Sequence, residues 1–136
     1  MQRVLDKGNL DQEERSVPSE NRPTEKEIVM YTRGGFCPDV SRARRAFQLW
    51  KLPYREINVR DDREAHQRCL DWNGCLAMPV IVIARLGEDL PIEPPSPLEP
   101  GQSPRDVDRG YMISEAGKKR LHDFLERHGF LAPTDE

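Results

Sequence analysis

Ile28-Val29-Met30-Tyr31-Thr32 is a short apolar run rich in β-branched and aromatic residues, closed by Gly34-Gly35. It predicts a buried strand and a tight turn. Val40, Ala43, Phe47 and Trp50 then recur at spacings of three, four and three, with Arg42, Arg44, Arg45 and Gln48 mostly on the other face. That is one apolar stripe of an amphipathic helix, which Pro53 closes. Tyr54 to Val59 alternates apolar and polar residues, as a half-buried strand does. Asp61-Asp62 can cap a second helix, along which Ala65, Cys69, Trp72 and Leu76 form the apolar face and Asn73-Gly74 mark the end. Pro79 to Ala84 follows Pro79 with five apolar residues, as in a central strand covered on both faces, and the proline must stand at its first position.

The pattern then fails. Six of the twelve prolines fall between residues 85 and 110 (Pro91, Pro94, Pro95, Pro97, Pro100 and Pro104), so this stretch predicts a loop and not a packed element. Tyr111-Met112-Ile113 reads as a short edge strand. Ser114 is expected to cap a last helix in which Gly117, Leu121, Phe124 and His128 share a face, ended by Gly129. The order is an α/β arrangement: a parallel β-α-β unit with a right-handed crossover, and then a hairpin with a lengthened connection. Residues 1–26 read as a flexible arm, 27–130 as one domain carrying the proline-rich loop, and 131–136 as a tail.

Composition narrows the function. The chain has 136 residues, a formal net charge of −3 and 36% hydrophobic residues. Its mean hydropathy is −0.79, enough for a core of about 80–90 residues flanked by solvated segments. Twenty-one basic against 24 acidic residues do not make a nucleic-acid binder. No apolar run approaches the ~20 residues of a membrane span. The first 27 residues hold seven acids, five bases and no apolar stretch, which is no export signal. The three cysteines, Cys37, Cys69 and Cys75, are an odd count. They predict a reduced, cytoplasmic compartment with at least one thiol free. Zinc is not expected, since no two cysteines have a C-x2-C spacing and His66, His122 and His128 are scattered.

Cys37 is the chemical candidate. It lies in Gly34-Gly35-Phe36-Cys37-Pro38-Asp39-Val40-Ser41, between a predicted strand and the first turn of a predicted helix. Unpaired amides and the helix dipole favour an anion there. Pro38 suits the first helical position without removing a needed donor. Arg33, Arg42 and Arg44 add positive charge, which Asp39 opposes. Together these push a thiol towards its reactive thiolate form.

These residues carry a resemblance to the glutaredoxin branch of the thioredoxin-like proteins. Tyr31-Thr32-Arg33 followed by Cys37-Pro38-Asp39-Val40 resembles the first strand and active-site motif. Leu52 to Val59 resembles the second strand with its lead-in. Ala77-Met78-Pro79-Val80 resembles the Thr-Val-Pro segment, whose proline peptide is cis. The resemblance covers residues 27–84, and 111–129 more loosely. It implies a three-layer fold with a central mixed sheet of three to four strands and flanking helices. Val40 stands where dithiol members have a second cysteine, which implies a monothiol enzyme. The iron–sulfur members' Cys-Gly-Phe-Ser is absent, and the proline-rich loop takes the place of the Gly-Gly segment before the last helix.

Site expectations follow. Cys37 is the nucleophile. Arg33, Phe36, the backbone of Met78 beside a cis Pro79, and the helix end at Ser114 would bind substrate or glutathione. Cys75, just before the proline segment, is the candidate resolving thiol. It cannot bridge Cys69, which lies about 240° around and ~9 Å along the same helix. No tightly bound cofactor is expected, with glutathione or a similar thiol as co-substrate. Small-thiol and protein disulfides would be substrates, and a protein partner could use the loop or the Arg42–Arg45 face. The two functions that compete are a monothiol thiol-disulfide oxidoreductase and a non-catalytic thioredoxin-fold adaptor.

Overall fold

The computed structural model describes residues 25–132. The expected arm therefore lies outside the described residues up to position 24, as do residues 133–136 of the tail. Strand β1, Lys26–Thr32, opens the sheet, and helix α1, Pro38–Leu49, follows. Strand β2, Arg55–Asn58, leads through a 3-10 turn, Val59–Asp61, into helix α2, Arg63–Asn73. Strands β3, Val80–Arg85, and β4, Met112–Ser114, form the other half of the sheet before helix α3, Lys118–Arg127.

The sheet order is β2-β1-β3-β4. Strand β1 runs parallel to β2 and antiparallel to β3, and β4 runs antiparallel to β3. This is the crossover and lengthened hairpin that the pattern of polar and apolar positions required. Ile28 to Tyr31 and Val80 to Ala84 are all buried, so the two central strands have no wet face. Each buried Val, Ile or Met among them contributes about 1.5–3 kcal/mol of transfer free energy. Helix α1 buries Val40, Ala43, Ala46 and Phe47, and its end meets α3 where Trp50 stacks edge-on against His122, 5.2 Å between ring centres. Helix α2 reaches the sheet through Trp72, whose ring meets Tyr31 edge-on at 5.6 Å. Among the described residues no helix is long and apolar enough to cross a membrane.

Local signals explain the helix ends. The Asp62 carboxylate accepts the Ala65 N–H at 3.0 Å at the start of α2, a cap worth about 1 kcal/mol. At the other end Gly74 turns left-handed (φ 76°) and its N–H reaches the Leu70 carbonyl.

Two expectations fail. Ser114 does not cap the last helix: it is the fully buried end of β4, its hydroxyl accepts from Asn73 Nδ2 at 3.1 Å, and Gly117 is the N-cap. The strand claims Ser114 because its partner Val80 sits across the ladder from it. Nor is residues 85–110 an unpacked loop. Pro104 and Arg109 are buried there, and single bridges join Pro91 to Ala84, Arg105 to Ser114 and Asp108 to Ile113. Prolines exclude a regular ladder, but isolated backbone and side-chain bonds still pin the chain.

Candidate active site

Topology gathers the predicted site at one end of the sheet. Tyr31, near the end of β1, pairs with Val80 at the start of β3, and Val80 pairs with Ser114 at the end of β4. The turn carrying Cys37, the Met78–Pro79 segment and the entry to α3 therefore leave the sheet on the same side. Gly34 and Gly35 both have positive φ (78° and 68°), a conformation that carries the chain from β1 to α1 and costs glycine little.

Cys37 is the N-cap of α1, in extended backbone conformation, and Pro38 occupies the first turn. Its carbonyl accepts the Ser41 N–H at 3.0 Å, while its side chain makes no capping hydrogen bond. The sulfur is thus held at the helix start without being consumed as a cap. Cys37 is half-buried and packs against the core, whereas Phe36 before it is 85% exposed. Cys69 is buried in the core, and burial pushes its thiol up to about 12. Cys75 is exposed on the α2–β3 connection, and all three cysteines are free.

The Met78–Pro79 peptide is cis. The Pro79 carbonyl accepts the Glu115 N–H at 2.9 Å, and the Met78 side chain is buried. Arg33 is exposed and has no partner among the described residues. Arg42 and Arg44 are engaged elsewhere. Arg42 Nη1 meets Asp39 Oδ1 at 2.9 Å, and Arg44 grips Glu56 with two bonds of 2.7 and 2.9 Å.

Sequence reasoning missed Arg105 and Asp106, which the proline-rich loop brings to this end. Arg105 Nη1 lies 3.0 Å from Asp39 Oδ2 and 3.4 Å from Glu115 Oε2. Asp106 Oδ1 accepts the Gly117 N–H at 2.9 Å, where α3 begins. Neither residue carries a local signal, because each acts on a partner that only the tertiary fold brings near. Burial works against ionisation of Asp39, but hydrogen bonds from Arg105 and then Arg42 hold its carboxyl below the usual carboxylate range. Among the described residues, one group of metal-type donors, His122, Asp123 and Glu126, brings its atoms within 4.8 Å of one another. All three stand on α3, where Lys119 meets Asp123 and His122 meets Glu126.

A four-stranded mixed sheet, three helices and a cysteine at the head of the first helix define a thioredoxin-like protein. Within that class residues 28–85 match the glutaredoxin family model, so the chain is glutaredoxin-like over that stretch. The match runs from Ile28 within β1 to the end of β3 and includes Cys37 and Pro79. No curated protein matches the chain.

Proposed function

We propose that the protein is a monothiol thiol-disulfide oxidoreductase acting on mixed disulfides, with glutathione or a similar low-molecular-weight thiol as co-substrate. Cys37 thiolate attacks the small-thiol sulfur of a mixed disulfide. A Cys37–small-thiol disulfide forms, the original S–S bond breaks, and the substrate leaves as a thiolate that takes up a proton. A second small thiol, as its thiolate, attacks the small-thiol sulfur bound to Cys37. It leaves as the symmetric disulfide and returns Cys37 as thiolate. In net terms one free small thiol is oxidised for each mixed disulfide reduced, and the small thiol already in that disulfide becomes the other half of the symmetric product.

The observation that carries this reading is the uncapped Cys37 side chain at the amino end of α1, at the same end of the sheet as the Met78–Pro79 segment. Phe36 and Arg33, both exposed beside it, offer an apolar contact and a carboxylate fork to the substrate. The backbone N–H and C=O of Met78 are the groups that would pair with the substrate chain. Cys75 as a resolving thiol is a separate element of the proposal. Purified protein assayed on a glutathione mixed disulfide with excess glutathione is expected to turn over, and Cys37→Ser to abolish turnover. Cys75→Ser is expected to keep the rate if the enzyme works with one thiol, and to lose most of it if Cys75 resolves. Wild-type protein without turnover overturns the proposal.

A second reading, a non-catalytic adaptor, is favoured by one observation. The Asp106 carboxylate already holds the amide at the head of α3, a position that would otherwise suit a substrate carboxylate. Binding of a glutathionylated peptide without exchange is the result that selects it.

A further inference from the structure

We infer that Arg105 is a positioning residue for the Cys37 sulfur, acting through Asp39. The inference rests on the reading of Cys37 as the reacting thiol. Asp39 is in the first turn of α1, two residues after Cys37. A carboxylate there favours the helix, since it faces the positive end of the dipole, but it repels an anion forming on the neighbouring sulfur. The structure answers each Asp39 oxygen with its own guanidinium. Arg42, one turn along the same helix, meets Oδ1, and Arg105, 66 residues away, meets Oδ2.

Arg105 is not a wandering surface side chain. Its backbone is fixed on both sides. Its own N–H bonds Ser103 Oγ at 3.1 Å, the next N–H bonds the Ser114 carbonyl at 2.7 Å, and Pro104 is buried. The Asp106 side chain anchors the same segment to Gly117. The packed proline-rich loop therefore delivers a cation to the helix start that carries the sulfur. Its removal leaves Asp39 with Arg42 alone and restores part of the repulsion. Because the pair is solvent-exposed, the effect is modest and salt-sensitive.

The test is the rate of Cys37 alkylation by iodoacetamide in the full-length protein at pH 7 and low salt, read peptide by peptide with Cys75 as internal reference. The reagent is neutral, so local charge does not steer it. Arg105→Gln is expected to slow Cys37 alkylation about threefold and leave Cys75 unchanged. The effect should shrink in 1 M salt. Asp39→Asn added to Arg105→Gln restores the wild-type rate or exceeds it, and Arg105→Lys keeps most of it. A purely structural role for Arg105 predicts no rescue by Asp39→Asn. An unchanged rate in Arg105→Gln, a loss that Asp39→Asn does not repair, or an equal slowing of Cys75 each overturns the inference. If wild-type Cys37 reacts no faster than Cys75, the functional reading fails, while the variant ratios still report the Arg105–Asp39 coupling.

Discussion

Arg109 Nη1 donates to Asn73 Oδ1 at 2.7 Å, joining the proline-rich loop to the last residue of α2. The same nitrogen reaches the Trp72 carbonyl at 3.0 Å, and Nε reaches the Ser96 carbonyl at 2.8 Å. Asn73 passes the contact on to Ser114 through its Nδ2. Arg109 is only 5% exposed, and these three partners are neutral oxygens. A cation at the carboxyl end of a helix also meets the negative end of its dipole.

Replacing Arg109 with Met should therefore cost more than a surface change. The variant leaves the Asn73, Trp72 and Ser96 oxygens without their donor, at about 2–4 kcal/mol in total. Urea unfolding measures the loss. Limited proteolysis is expected to cut between residues 85 and 110 faster than in wild type. Equal midpoints and equal cutting would show that this network does not hold the loop.

Cys69 gives the second expectation. It is wholly buried, and its thiol is pushed up to about 12. A disulfide reagent at pH 8 should titrate two thiols in native protein and the third only after unfolding. The sign of the pH effect follows from the raised value. The unfolded chain releases this proton at about 8.5, whereas the folded chain keeps it, so stability falls as pH rises beyond about 8.5. Tyr31, also pushed up to about 12 by burial against the pull of Arg68, adds to that loss above about 10. Cys69→Ala should flatten the stability curve between pH 8.5 and 10, as measured by denaturation at each pH. An unchanged slope would assign the alkaline loss to other groups.

The central strands and first two helices were legible because their side chains repeat at the spacing of a strand or a helix, and Asp62 and Gly74 are local end signals. Cys37 was legible for the same reason: glycines before it and a proline after it define a strand-to-helix junction. Ser114 misled because its hydroxyl suits a cap equally well, and only the Val80 pairing and Asn73 decide that it stays in the strand. Arg105, Asp106 and Arg109 carry no periodicity. Their partners, Asp39, Gly117 and Asn73, are set by how the loop returns across the sheet, and nothing within a helical turn of each residue encodes that.

Phe36 separates recognition from stability. At 85% exposure it contributes little to the core. Phe36→Ala should leave the unfolding midpoint within about 0.5 kcal/mol of wild type. Under the proposed function the same change raises KM for a peptide mixed disulfide several-fold, through lost apolar contact, with kcat less affected. Steady-state kinetics on that substrate are the check, and an unchanged KM would remove Phe36 from the substrate surface.

His128 supplies an acid-side prediction in a separate pH window. Its ring lies between Tyr111 and Phe124, at 4.8 and 4.9 Å between centres, with Nε2 2.7 Å from the Gly110 carbonyl. Burial lowers its pKa; the Gly110 carbonyl works the other way, while Arg127 and Lys26 add to the lowering. The unfolded chain takes up a proton at about 6.5 that the folded chain refuses, so stability falls as pH drops through and below that value. Glu27, Glu56 and Asp39, all held below the ordinary carboxylate range, lose their contribution only at still lower pH, beneath about 4. Denaturant unfolding at pH 7.5 and 5.5 should show a fall for wild type and a smaller fall for His128→Phe, which keeps the stacked ring but cannot take a proton. The variant starts from a lower stability because it loses the bond to Gly110, so the difference between the two pH values, not the absolute value, is what decides. Parallel falls in the two proteins would place the acid sensitivity elsewhere.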